Sequence, residues 1–367
     1  MINVNNILTM EAPSLREAIT LYFRNAITSG DLKPGRVIPS SRELAKQLNT
    51  SFPNVHLALA PLVKEGLITR DRKKGTMVKE RMHQLACVAI YVYHTTLDDL
   101  PQYQHTLIDQ LSKHLNEKNI ESRLVVDNNM RYGLRQLREW SISGNIQGII
   151  TVQDGAEISM IVKELTPLPV SLVSCNEVGF DFSGMIKTSV QALKNSGCRK
   201  VAMITTVARF TKDSEGELHE NKFYRTFVDA AEKAALECPA DLIQMTNTES
   251  DYLHTSDEVT EFAFERCNRI LMMPESERPD GLFVFPDQLI TGLMLSIMQN
   301  RIRVPEDMRL VLHRNWEIKE PVLVPCAMVG ISVSDMARRV ICNLENKFYG
   351  KPKIKQKIEH ELRMFVP

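Results

Sequence analysis

The sequence predicts two kinds of architecture in one chain: an α+β head over residues 1–80 and an α/β body over 81–367 with doubly wound parallel sheets in two lobes. Three observations carry this expectation. A chain of 367 residues is long for one core, and chains of this size divide into domains. The apolar pattern changes character near residue 84, from closely spaced helical periods to short β-rich runs that alternate with amphipathic helices. Charge changes at the same place. The chain carries 45 Lys+Arg and 45 Asp+Glu, but residues 1–83 hold 13 and 7 of these, a net of +6, which leaves −6 for the remainder.

A basic head on an acidic body points to a polyanion partner for the head; a solvated lysine-rich surface would carry the same charge. The seven cysteines, at 87, 175, 198, 238, 267, 326 and 342, form no CxxC pair. Zinc and redox motifs therefore find no support, and unpaired cysteines suit a reducing cytosol. No cofactor or metal is expected. The stretch "MINVNNILTMEAPS" has no basic segment followed by an apolar run, so a signal peptide is not expected. No apolar window reaches membrane-spanning length, and the protein is expected in the cytoplasm.

In the head, "SLREAITLYFRNAITSG" places Leu15, Ile19, Tyr22, Phe23, Ala26 and Ile27 at helical spacing. Ser14 and Glu17 have capping-box spacing, and Gly30 can end the helix. "LKPG" is a turn, and "PSSRELAKQLN" opens a second helix on Ser40 or Ser41 with Leu44, Ala45 and Leu48 inward. The third helix is expected in "TSFPNVHLALAPLVKEG", capped by Ser51, with Pro53 in its first turn and Gly66 at its end. Pro61 falls inside it, where an ideal helix interior would lose about 3 kcal/mol, so a kink or early break is expected. "LITRD" and "GTMVKE" form a hairpin around the basic tip "RKKG".

Three helices and a hairpin make the layout of a winged helix-turn-helix. "GDLKPGRVIPSSRELAKQL", then "SFPNVHLALAPLVKEGLI" and "KGTMV", resembles the DNA-binding head of the GntR family of bacterial transcription regulators, over Leu15 to about Val78. The resemblance implies that Arg42 meets a phosphate and that the helix after Ser51 enters a major groove. Phe52 stands where the family often has an arginine, which leaves Asn54 and His56 as the polar reading candidates. Gly75 lets the wing turn tightly, so that Arg72, Lys73 and Lys74 reach the minor groove or its phosphates. Surface or helix-start roles for Asn54 and His56 remain equally open.

The body alternates strands and helices in order. "LACVAIYVY", "ESRLVVDN", "IQGIITV" and "PVSLVSCN" read as strands, separated by helices in "YQHTLIDQLSKHLNEKN", "RYGLRQLREWSISG" and "EISMIVKELTP". A second round follows. Helices are expected in "GMIKTSVQALKNSG", "KFYRTFVDAAEKAAL", "SDEVTEFAFERCN" and "LITGLMLSIMQNR", and strands in "RKVAMITT", "ADLIQMT", "DGLFVFP" and "MRLVLHRN". Buried strands between helices imply parallel sheets.

The pieces "NIQGIIT", "NSGCRKVAMIT" and "PDGLFVFPDQLITGLMLSIMQNRIRVPEDMRLVLHRN" resemble the ligand-binding body of the LacI family, a periplasmic-binding-protein-like (type I) domain, from about Leu85 onward. That resemblance implies a first lobe of about 84–179 plus 327–349 and a second of about 180–326 plus 350–367. Ligands of open α/β sheets sit beyond the carboxyl ends of strands. In the first lobe this rule selects Tyr93, His94, Thr95, Asp127, Asn128, Asp154 and Asn176; in the second, Thr205, Asp287, Gln288, Arg314 and Asn315. Tyr103 and Trp316 join Tyr93 as aromatic platforms. Polar residues after strands are also common as ordinary caps, so each is weighed against that role. Arg314 stands where the family usually has an aspartate. A guanidinium donates and never accepts, which fits a carboxylate or phosphate; an ion pair with Asp287 is the alternative, and a neutral sugar stays open.

The combination is expected to be a ligand-responsive regulator, a repressor of carbohydrate-utilisation genes. Its expected partners are a two-fold symmetric DNA operator, a sugar or sugar-derived effector and a second copy of the chain, with no membrane. An enzyme is the main rival, yet no G-x-S-x-G elbow, Walker loop or HExxH helix occurs. A transport-type sugar-binding protein would not explain the basic head.

Overall fold

The computed structural model describes residues 7–9, 12–28, 31–64, 67–71, 75–79, 85–94, 100–128, 132–152, 168–172, 177–212, 217–248, 255–352 and 356–367. In the head, α1 (Leu15–Thr28), α2 (Ser41–Gln47) and α3 (Phe52–Lys64) pack around Phe23, Leu44, Leu59 and Leu62. Ser14 Oγ accepts from the Glu17 N–H at the start of α1 (3.2 Å). Ser40 makes a full capping box on α2: its Oγ accepts from the Glu43 N–H, and Glu43 Oε2 accepts from the Ser40 N–H at 2.7 Å. Two orphan amides at the helix start are thus satisfied.

The expected break at Pro61 does not occur, since α3 runs through it to Lys64. Pro61 is solvent-facing, and the fully buried Val55, Ala58, Leu59 and Leu62 hold the helix to the core around it. Packing outweighs local propensity here. Strands β2 (Ile68–Asp71) and β3 (Gly75–Val78) form the expected antiparallel wing, and Gly75 takes the left-handed conformation (φ +83°) that favours glycine. A short strand that sequence reading missed, β1 (Val37–Ile38), adds to the other edge of β3.

The first body sheet holds β4 (Cys87–Tyr93), β5 (Glu121–Asp127), β6 (Gly148–Thr151) and β7 (Val170–Leu172), all parallel in the order β5-β4-β6-β7. On one face, α4 (Gln102–Glu117) joins a core that also takes in the late helix α10 (Val333–Phe348); on the other lies α5 (Tyr132–Ser143). The expected helix in "EISMIVKELTP" lies outside the described residues.

The second sheet has seven strands among the described residues. Its centre is β9 (Val201–Lys212), β12 (Gly281–Phe285), β13 (Arg309–Asn315) and β14 (Cys326–Ile331), paired in parallel in that order. Strand β11 (Ile243–Thr248) is parallel to β9, whereas the outer strands β10 (Leu218–Glu220) and β16 (Glu361–Phe365) are antiparallel. The sheet is therefore parallel at its core with antiparallel edges, which sequence reading did not anticipate. Helices α6 (Phe182–Asn195) and α7 (Lys222–Lys233) cover one face; α8 (Ser256–Leu271) and α9 (Ile290–Asn300) cover the other.

Among the described residues the chain passes between the lobes three times. The first passage follows β8 (Val178–Phe180), which pairs in parallel with β15 (Gln356–Ile358) just before the third. The middle passage differs from the expected boundary at 327. Residues 326–331 form β14, a buried strand paired with β13 of the second sheet, and the side chain of its last residue, Ile331, already packs in the first-lobe core that α10 joins. Residues 327–330 therefore belong to the second lobe, and the crossing falls at Ile331. Gly330 lets β14 lie against β13, because a Cβ there would collide with the Arg314 carbonyl.

Candidate functional site

The exposed face of α3 begins with Phe52, 46% exposed, followed by Asn54 and His56, both exposed. Phe52 and His56 are one turn apart, and their rings lie 5.5 Å centroid to centroid. Two arginines from other elements reach onto this face. Arg16 of α1 donates through Nη2 to Asn54 Oδ1 (3.3 Å), and Asn54 Nδ2 donates to Thr50 Oγ1 (3.3 Å). Arg70 of β2 donates through Nη2 to the His56 carbonyl (3.0 Å), with its Nη1 3.0–3.1 Å from both ring nitrogens of His56. Neither arginine was among the expected contacts. No local motif marks them, since each is brought to α3 only by folding. Arg42 is exposed on α2, and Ser51 directly precedes α3, where its carbonyl accepts from the Val55 N–H (3.3 Å). Arg72, Lys73 and Lys74 lie outside the described residues.

The second concentration of unusual groups lies between the lobes. A chain of rings crosses from one to the other. Tyr103 of α4 sits 5.6 Å from Phe180, Phe180 sits 5.4 Å from Phe182 and 6.2 Å from His360, and His360 sits 5.9 Å from His313. Phe285 closes the ring of contacts, 4.8 Å from His313, 5.1 Å from Phe223 and 5.7 Å from Phe182. Buried polar atoms with no hydrogen-bond partner among the described residues gather here: Tyr103 OH, both ring nitrogens of His313 and of His360, Asn315 Oδ1 and, on the opposite face of β13 from His313, Arg314 Nη1 and Trp316 Nε1. Buried polar groups are ordinarily paired, so such a gathering in one region is chemically conspicuous.

The electrostatics follow from burial. The His313 ring is driven down to about 3 by burial and by the neighbouring Arg314 charge. His360 is lowered to about 4 by burial and by His313, against a smaller pull from Asp181. Both rings are neutral at pH 7. The Tyr103 hydroxyl is pushed up by burial and by the charge of Asp287. The Arg314 guanidinium is lowered by burial, with Asp287, Glu320 and Cys326 working the other way.

Asp287 anchors this region. It is 2% exposed, and its carboxylate accepts from the Asn315 N–H (3.0 Å) and from Asn315 Nδ2 (3.0 and 3.2 Å). Burial raises its pKa, and the Asn315 bonds oppose that. The alternative in which Arg314 pairs with Asp287 is thus not what the fold builds: the acid is held by Asn315, and Arg314 Nη1 is left without a partner. Arg314 and Trp316 share a face of the strand ladder, which continues past β13 through the Trp316 N–H to the Ile331 carbonyl (2.9 Å). Both offer only donors.

Other expected residues are differently employed. Asp127 is buried and accepts from Tyr91 OH (3.4 Å) and from the Gly133 N–H (3.0 Å) at the start of α5, which gives it a structural bond set. Thr205 is fully buried, and its Oγ accepts from the Val207 N–H (3.1 Å). Tyr93 and His94 are half-buried at the end of β4, with the His94 N–H bonded to the Asp127 carbonyl (3.1 Å); Asn128 is exposed and Gln288 half-buried. Thr95, Asp154 and Asn176 lie outside the described residues. The sequence reading missed His313, His360, Phe180, Phe182 and Phe285. His313 precedes Arg314 directly in "VLHRN" and was within reach; His360 lies far off in sequence and was not.

One further arrangement has the outline of a nucleophilic triad: His114 Nε2 is 2.7 Å from Ser334 Oγ, and His114 Nδ1 is 2.9 Å from Glu117 Oε2. Acyl chemistry also needs free N–H donors for an oxyanion. Here the Val333 and Ser334 amides are spent on Glu317, at 2.7 and 3.1 Å. The geometry ties α4 to the start of α10 and prepares no nucleophile.

Comparison with known proteins completes the picture. Residues 15–78 match the model for bacterial regulatory proteins of the gntR family, and residues 190–364 match the periplasmic binding protein-like domain. The chain is 23% identical over 303 residues to the arabinose metabolism transcriptional repressor of Geobacillus stearothermophilus, covering 78% of each chain. It is 42% identical over 63 residues to the HTH-type transcriptional repressor NagR of Bacillus subtilis (strain 168), covering 17% of this chain and 26% of that one. A LacI-family regulatory protein from Chloroflexus aggregans superposes with a TM-score of 0.57 at 14% identity, over 75% of this chain and 96% of that one. A LacI-family regulator from Arthrobacter sp. FB24 in complex with lactose gives 0.54 at 15% identity, over 76% and 98%. At these identities the structural likeness speaks for the fold. Among the described residues no helix is long and apolar enough to cross a membrane.

Proposed function

Starting from a chain that carries a GntR-family DNA-binding head followed by a periplasmic-binding-protein-like body, we propose that it is a transcriptional repressor of sugar-utilisation genes whose DNA affinity is set by a small effector held between the lobes. The relative that aligns with 78% of this chain and one that aligns with its head are both named as transcriptional repressors. The observation that carries the effector part is the gathering of partnerless buried polar atoms between the lobes, drawn from both of them.

The effector class follows from the donors. Arg314 Nη1 and Trp316 Nε1 lie on one face and offer N–H groups with nothing to receive them. An oxyanion satisfies both. A sugar acid or sugar phosphate fits this reading better than a neutral sugar.

Two copies of the chain would present two heads to a two-fold symmetric operator. Ligand that draws the lobes together would shift the heads, and a coupling of about 1–3 kcal/mol is enough to regulate binding. Calorimetry with neutral sugars, uronates and sugar phosphates, combined with gel shifts on the DNA upstream of the gene, tests the reading. Micromolar binding of an anionic sugar, weakened at least tenfold in Arg314→Ala, is expected, together with DNA affinity that falls as salt rises. Tight binding of a neutral sugar that is unchanged in Arg314→Ala overturns the anionic effector. Absence of salt-sensitive DNA binding overturns the repressor.

A further inference from the structure

Helix α3 carries few groups of its own that can read a base. Phe52 has no hydrogen-bonding group, and the two polar side chains of its first two turns, Asn54 and His56, are each engaged by an arginine from elsewhere in the head. We infer that Arg70, pinned against His56 of α3, is a sequence-reading residue of the head, with guanine as the base that it contacts in the major groove.

The geometry ties Arg70 to α3. Its Cα is on β2, but its guanidinium is folded back onto the fifth residue of α3, with Nη2 on the His56 carbonyl and Nη1 against the His56 ring. The first turns of such a helix are the part that meets base edges. A guanidinium carries five N–H donors. The carbonyl bond uses one of them and the Nη1 contact with the His56 ring a second, so the guanidinium is held at α3 with further N–H groups left to donate. Two parallel N–H groups match the O6 and N7 acceptors of guanine, the commonest specific contact in the major groove. The Phe52 ring lies 5.5 Å from that of His56, so Phe52, His56 and Arg70 form one cluster. Phe52 then has a use of its own as the support for a reader supplied by the wing strand. Arg16 stands to Asn54 in a related way, but a single 3.3 Å bond holds it less firmly.

The inference rests on the proposed DNA-binding role of the head, and its test keeps the two apart. Full-length wild type, Arg70→Lys, Arg70→Ala and His56→Ala are each used to select binding sites from random duplex DNA at fixed salt, and affinities are then measured on the selected site and on random DNA. Thermal unfolding of each variant confirms that it folds. Base reading predicts that Arg70→Lys, which keeps the charge but loses the planar fork, drops affinity for the selected site about tenfold to a hundredfold. It also predicts loss of a guanine preference at one position of each half-site, little change on random DNA, and a weaker form of the same change in His56→Ala. A selected motif identical to wild type in both Arg70 variants, with equal losses on all DNA in Arg70→Ala, overturns the inference and makes Arg70 a phosphate clamp. Failure of wild type to select any site overturns the DNA-binding reading itself.

Discussion

Glu317, in the segment that follows β13 of the second lobe, grips Ser332 and the first turn of α10, which packs in the first. Its Oε1 accepts from Ser332 Oγ at 2.6 Å and from the Ser334 N–H at 3.1 Å, while Oε2 accepts from the Val333 N–H at 2.7 Å. A carboxylate at a helix start satisfies orphan amides and the helix dipole together. The contact lies one residue beyond Trp316 and so links the partnerless donors to the lobe that holds Tyr103.

Burial pushes the Glu317 carboxyl up, but the bonds from Ser332, Val333 and Ser334 outweigh it and hold its pKa below the usual glutamate range. A depressed carboxylate contributes stability above its unfolded pKa, and that contribution fades as pH falls through the folded one. Glu317→Ala is expected to lose about 1–3 kcal/mol at pH 7. In denaturant titrations the gap between the two proteins should narrow as pH falls below the usual glutamate range and through the lowered folded-state pKa.

Asp287→Ala leaves the Asn315 N–H and amide buried without an acceptor. It is expected to cost about 2–3 kcal/mol in chemical denaturation. Asp287→Asn keeps one acceptor oxygen and should lose about half of that. A loss confined to effector affinity, with stability unchanged, would show that the acid serves ligand and not fold.

The buried pair His313 and His360 sets an acid limit. The unfolded histidines take up protons near pH 6.5, whereas the folded ones resist until about 3 and about 4. The unfolded state therefore binds more protons below 6.5, and stability falls as pH drops toward 4, by up to about 1.4 kcal/mol per pH unit for each ring. In the double variant His313→Phe/His360→Phe this part of the acid slope should disappear from a plot of unfolding free energy against pH.

Lys73 and Lys74, which lie between β2 and β3 in the sequence, are expected to act on any DNA alike. Their joint replacement by alanine should weaken binding to operator and random duplex by the same factor. It should also make the plot of log K against log salt shallower by up to about 1.8. A loss seen on one operator alone would assign them a base-reading role.

The chain alone was enough for most helices and strands as far as β13, for the Ser14 and Ser40 caps and for the two architectures, because these rest on short-range chemistry. Ser40 and Glu43 are three residues apart, and their capping box is legible in "SSRE". The run "GLFVFP" is a buried strand wherever it packs. Pro61 shows where local reasoning ends: the propensity is real, but an exposed ring on a helix pinned by Leu59 and Leu62 does not break it. Which sheet receives residues 326–331 was likewise decided by partners, since a six-residue apolar run pairs equally well with any open strand edge. The site depended on folding most of all. Arg314 and Asn315 could be picked out at a strand end, but the capture of Asp287 by Asn315 is a contact across 28 residues. His360 meets His313 from 47 positions away in "IEHEL". Arg70 meets His56 only because the wing strand lies beside α3. Side chains from distant segments share a site when packing brings them together, and packing has no period to be read along a chain.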